Sequence, residues 1–161
     1  MISFETVYHD YGKDVYRLLF RLCGNQHDTE DLLQETFISI MRNLPEFKGD
    51  SSLKTWICSI AINKFRDRCR AVKIRKIDFQ AEVELTAPDN QHDELVAAEL
   101  RVKVKKAFHT LPEEHQIAFA LVRFDGMSYK EAALALGTTL GTIRMRVHRA
   151  HHLLADILRE R

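Results

Sequence analysis

Two stretches of this sequence carry residue types suited to holding nucleic acid. In the first, Thr55, Ser59, Asn63, Arg66 and Arg70 recur at helical spacing, and Trp56 borders the stripe. Residues 54–76 hold eight Lys/Arg against one acid, Asp67. Cations answer the phosphates of a strand and an aromatic surface takes an unstacked base, so the combination suits single strands. In the second, residues 139–152 contain three arginines and no acid. At about 100° per residue, Ile143, Val147, Ala150, Leu154 and Ile157 share one face, while Arg144, Met145, His148, Arg149 and His152 fall largely opposite. A helix with its apolar stripe inward and arginines outward can reach guanine edges or phosphates in a duplex groove. The plainer reading of both stretches is an amphipathic helix with a solvated basic face, and of Trp56 a core residue.

Other chemistries have less support. His148 and His152 lie one turn apart, beside His151, as paired metal ligands would. The glutamate of an HExxH site is missing, however, and no third ligand stands nearby, so no metal and no cofactor are expected. The three cysteines, Cys23, Cys58 and Cys69, show no CxxC spacing and suit a reducing compartment better than a disulfide framework. No basic segment followed by an apolar run opens the chain, and no apolar run spans a bilayer; a cytoplasmic protein without membrane insertion is expected.

The elements that must position these residues read as all-α. There are three prolines and six glycines, and period-3.6 patterning dominates. A first helix runs from about Phe4 to Cys23 and stops at Gly24-Asn25. A second begins at Asp28 and ends before Pro45. Its expected inward stripe is Leu33, Phe37, Ile40, Met41 and Leu44. Asp31, Gln34, Glu35 and Arg42 lie opposite, with Ile38 among them, and an apolar residue on a polar face can mark a partner contact. Glu46–Ser52 is a loop, and a third helix follows to Arg70. Helical pattern resumes near His92, breaks at Leu111-Pro112, and continues to Asp125-Gly126. Ser128 and Glu131 then form a capping box, Gly137 turns the chain, and Thr139 caps a final helix: two helices around a tight glycine turn, the helix-turn-helix pattern.

Charge divides the chain along the same lines. The net charge of +1 predicts no nucleic acid by itself. Residues 77–99, however, hold seven acids and no Lys/Arg, while both flanking segments are net positive. The expected organisation is a three-helix domain (1–75), an acidic linker (76–91) and a four-helix domain (92–161).

Two blocks resemble the extracytoplasmic-function branch of the bacterial primary sigma-factor family. DTEDLLQETFISIMRNLPEFKGDSSLKTWICSIAINKFRDRCR, residues 28–70, is similar to the family's second conserved region. LPEEHQIAFALVRFDGMSYKEAALALGTTLGTIRMRVHRAHHLL, residues 111–154, is similar to the fourth. The resemblance implies a non-catalytic factor that binds core RNA polymerase and promoter DNA, with an anti-sigma factor as a further partner. Asp31, Gln34 and Glu35, with Ile38 beside them, would contact polymerase. The loop Phe47, Lys48, Gly49, Asp50, Ser51 and Ser52 would hold a flipped base of the melted −10 element, near Trp56, Asn63, Arg66 and Arg70. Thr139, Thr142, Arg144, Met145, His148, Arg149 and His152 would read the −35 element as duplex. Met145 stands where many relatives carry a small or polar residue. Two other classes compete with this reading. A stand-alone helix-turn-helix regulator would bind duplex as a symmetric dimer and leave 28–70 without a task. An interaction protein that occupies polymerase without promoter specificity would not need two intact basic faces.

Overall fold

The computed structural model describes residues 1–72 and 91–159, and within them every regular element is helical. The expected acidic linker lies outside the described residues, apart from Gln91, which opens the fourth helix.

The first unit has three helices. α1 (Phe4–Cys23) starts at Ser3, whose Oγ accepts the Thr6 N–H, and ends at Gly24, which takes the left-handed φ of 78°. α2 (Gln26–Asn43) begins earlier than the acid-rich Asp28 suggests: Asn25 is its cap, accepting the Asp28 N–H at 2.8 Å. A 3-10 turn over Leu44–Glu46 carries Pro45 and ends the helix. α3 (Leu53–Val72) follows, with Ser52 Oγ accepting the Thr55 N–H at 3.1 Å.

α2 corrects one expectation. Its most buried positions are Thr29, Leu32, Thr36, Phe37 and Ile40, whereas Met41 is exposed and Leu33 only half-buried. The buried face is rotated toward two threonines. Each satisfies its hydroxyl on the preceding turn, Thr29 donating to the Asn25 carbonyl and Thr36 to the Leu32 carbonyl, both at 2.6 Å. A hydroxyl bonded in this way enters a core without a stranded polar group. Leu18, Leu19 and Leu22 of α1 and Ile57 and Ile62 of α3 complete this core.

The second unit has four helices: α4 (Gln91–Thr110), α5 (Glu113–Phe119), α6 (Tyr129–Leu136) and α7 (Leu140–Arg159). The single helix expected from Pro112 to Asp125 is interrupted. Ala120–Phe124 forms a π turn in which the Asp125 N–H reaches back to the Ala120 carbonyl at 3.0 Å. The wide turn takes up an extra residue, and it delivers Phe124 and Asp125 to Arg21 of α1. Ser128 caps α6, Gly137 leaves it with φ 62°, and Thr139 Oγ1 accepts the Thr142 N–H at the start of α7. Ile143, Val147, Ala150 and Leu154 are buried as their spacing predicts. Ile143, wholly buried, contributes about 1.5–3 kcal/mol of apolar transfer.

The two units are packed together rather than held apart, α3 against α6 and α1 against the π turn. Gly24 shows how closely: a Cβ there would stand 3.1 Å from His109 Nε2 of α4. Among the described residues no helix is long and apolar enough to cross a membrane.

Candidate nucleic-acid interface

α7 presents the more open of the two basic faces. With Ile143, Val147 and Ala150 holding its inner side against α5 and α6, Arg144, Met145, His148, Arg149 and His152 are exposed on the other. Thr139 and Thr142 stand at the N-terminal end of the same face, their hydroxyls 2.8 Å apart. Arg144 lies over the Tyr129 ring, with its guanidinium carbon 5.9 Å from the centroid, so α6 helps orient it. The structure therefore brings together all seven residues expected on this helix. His148 and His152 stack edge-on with centroids 4.4 Å apart, but among the described residues no carboxylate or thiol joins them.

The α3 face is assembled only in part. Asn63 and Arg70 are exposed and Ser59 is half-buried, but Thr55 is 97% buried, its hydroxyl accepting from Ser52. Thr55 is thus a core residue held beneath the Ser52 cap, and the usable stripe begins one turn later. Trp56 is half-buried and is neither purely core nor free: the Phe47 ring rests on it with centroids 5.0 Å apart. That contact pins the loop at its first residue, while Lys48, Gly49 and Asp50 stay exposed and Gly49 takes a φ of 77° that favours glycine. Arg66 is turned to the second unit, where it meets Glu114 at 2.9 Å.

On α2, Gln34, Glu35 and Ile38 are exposed, and Asp31 is half-buried. Gln34 and Ile38 border a shallow apolar groove with Phe4, Tyr8, Phe37 and Met41, which makes Met41 part of an outer surface. Asp31 is anchored from behind: Arg68 of α3 reaches it at 3.4 Å and Asp28 at 3.3 Å. His27, Asp28 and Asp31 have metal-like spacing, but the Arg68 guanidinium already supplies the positive charge on both carboxylates. Cys23 and Cys58 are buried, and burial pushes each thiol up to about 12, far from reactivity.

Sequence reasoning missed four residues at the junction of the units. Arg21 bonds Asp125 at 3.1 Å, and Glu114 is shared between Arg66 and Arg146. Glu114 stands in the first turn of α5, where an acid is ordinary, and Arg146 lies between the two faces of α7. Nothing in local periodicity pairs residues so far apart in the chain.

Comparison with known proteins agrees with this geometry. Sigma-70 region 2 matches residues 7–74, the three-helix unit, and Sigma-70 region 4 matches residues 101–151, which contain the helix-turn-helix. The ECF RNA polymerase sigma-E factor of Haemophilus influenzae is 30% identical over 96% of this chain and 86% of its own. The chain belongs to the extracytoplasmic-function branch of the sigma-70 family. The ECF RNA polymerase sigma factor SigE of Mycolicibacterium smegmatis is 34% identical over 98% of this chain, which spans 62% of the length of that protein. In three dimensions this sigma factor superposes on the sigma factor RpoE of Bartonella quintana, solved with the anti-sigma factor NepR, with a TM-score of 0.77 and 26% identity over 98% of this chain and 97% of that one. Like other sigma factors it is a non-catalytic factor that recognises promoters for RNA polymerase, so phosphoryl transfer belongs to the polymerase.

Proposed function

We propose that the exposed faces divide the work of initiation among three helices. The face of α2 bearing Asp31, Gln34, Glu35 and Ile38 docks on core RNA polymerase. The loop Phe47–Ser52 takes a flipped base of the melted −10 element, Trp56 supplies an apolar wall, and Asn63, Arg66 and Arg70 hold the strand beside it. The outward face of α7 reads the −35 element as duplex, with Arg144 and Arg149 as the forks most able to bond guanine. Residues 1–75 and 92–161 are the two working domains, and the acidic segment between them is a linker. The factor acts in the cytoplasm and, as its likeness to the Bartonella quintana protein suggests, answers to an anti-sigma factor.

One observation carries this reading best. Seven residues expected to meet duplex DNA stand on one side of α7, while Ile143, Val147, Ala150 and Leu154 on its opposite side are buried in the core and Ile157 is half-buried. A helix so divided is rigid where it must be and free where it reads. On α3, by contrast, the aromatic pair and the cations belong to a single-strand surface.

Photo-crosslinking separates the two roles. A benzophenone side chain placed at Met145 is expected to crosslink to upstream duplex in the complex with core polymerase and promoter, and one at Lys48 to the non-paired −10 strand. Crosslinks at Met145 confined to polymerase, or at Lys48 to duplex alone, would overturn the division.

A further inference from the structure

α3 and the second domain share one carboxylate at their junction. Glu114 Oε2 accepts from Arg66 Nη2 at 2.9 Å and from Arg146 Nη1 at 3.2 Å. The two guanidinium side chains are largely covered, 17% and 21% exposed, and the carboxylate is 41% exposed. Without Glu114, closing the domains would bring two cations together with nothing between them, at a cost that water screens only in part. The bridge stands at the wall of a polar cleft of about 510 Å³ that Arg70, Gly137 and Thr138 also line. Arg66 Nε is buried there without an acceptor, so Glu114 does not use the whole fork. A second ionic contact, Arg21 with Asp125, joins the domains away from the α3 stripe.

We infer that Glu114 is a built-in stand-in for a DNA phosphate. A carboxylate oxygen and a phosphate oxygen offer an arginine the same charge-assisted acceptor. While the domains are closed, Glu114 occupies Arg66, so closure and capture of the melted strand compete for one guanidinium. The isolated factor then binds single-stranded DNA less tightly than its open form, in proportion to the fraction that is open. An event that separates the domains, such as docking on core polymerase, then releases Arg66 for the strand. The inference rests on the reading of Arg66 as a contact of the −10 strand.

The test uses the full chain without polymerase. Affinity for a fluorescein-labelled, mixed-sequence single strand is read by anisotropy, and domain closure by small-angle scattering. Glu114→Ala is expected to raise the affinity roughly 3- to 10-fold, the worth of one or two partly exposed ion pairs, and to enlarge the radius of gyration. Glu113→Ala makes the same change of net charge at an acid that lines the same cleft but pairs with neither guanidinium, and is expected to do neither. Glu114→Gln keeps the side-chain volume, guards against misfolding, and should move both readouts in the same direction by less. Unchanged scattering and unchanged affinity for Glu114→Ala would overturn the inference. Expansion without a gain in affinity would also overturn it, and would place the fault in the strand-binding role of Arg66. An equal gain from Glu113→Ala would reduce the effect to net charge and overturn it as well.

Discussion

The two basic helices of this protein meet solvent differently. α7 keeps the face proposed to read DNA open, set by the helix and the apolar stripe behind it, with Tyr129 of α6 beneath Arg144. α3 shows an interrupted face: Thr55 is drawn into a cap, Trp56 is covered on one side by Phe47, and Arg66 is held by an acid from the other domain. A duplex-reading surface can stand ready in the free protein because it meets DNA as a rigid body. A surface for melted strands gains from being withheld until a strand is open.

The largest effect is expected behind the open face. Ile143→Ala removes a wholly buried side chain and should cost about 2–5 kcal/mol, read as a lower urea midpoint with little change in slope. A loss below 0.5 kcal/mol would mean that α7 is not set by its stripe. Next, Arg149→Ala should weaken binding to −35 duplex by roughly 10- to 100-fold, as the loss of a bidentate base contact does, and leave core association intact. Promoter output equal to wild type would remove Arg149 from the reading face. Asp31→Ala with Glu35→Ala should weaken association with core by about tenfold while sparing duplex binding, following the weight of close charge pairs across interfaces. Normal core binding by the double variant would mean that the polymerase face lies elsewhere.

The smallest effect sharpens the junction that makes α3 the covered face. His109 packs against Gly24 between the domains, and burial, with Lys105 beside it, holds its imidazole below the usual value. The unfolded chain therefore takes up the proton more readily than the folded one. This contribution to stability is present above about pH 6.5, the ordinary imidazole value, and is lost as pH falls from there toward the folded value. A urea titration series from neutral to mildly acidic pH should show the decline, and His109→Gln should flatten it. The same slope in the variant would assign the decline to other groups.

Helix-turn-helix geometry was legible because it is local. Ser128, Gly137 and Thr139 mark the ends, and the apolar period of α7 fixes its faces without help from the rest of the chain. The cap of α2 at Asn25 instead of Asp28 was a near miss of the same kind. The buried face of α2 was read a partial turn away, since a count of large apolar residues does not see that Thr29 and Thr36 can bond their own helix. The π turn left no mark in the pattern, and its consequence, Asp125 on Arg21, joins residues distant in sequence. Closure of the domains, like the Glu114 bridge, depends on such pairings, which periodicity does not encode. The proposed site residues were legible as helix faces; which of those faces would be covered was not.

On the proposed division of work, this chain gives RNA polymerase its promoter specificity through both domains at once. Run-off transcription with purified bacterial core polymerase, with and without the protein, on a pool of promoter fragments tests it most directly. Transcripts with defined starts that depend on the protein, from fragments sharing two spaced elements, are the predicted result. No transcripts, together with dimeric binding to duplex in the absence of polymerase, would contradict it.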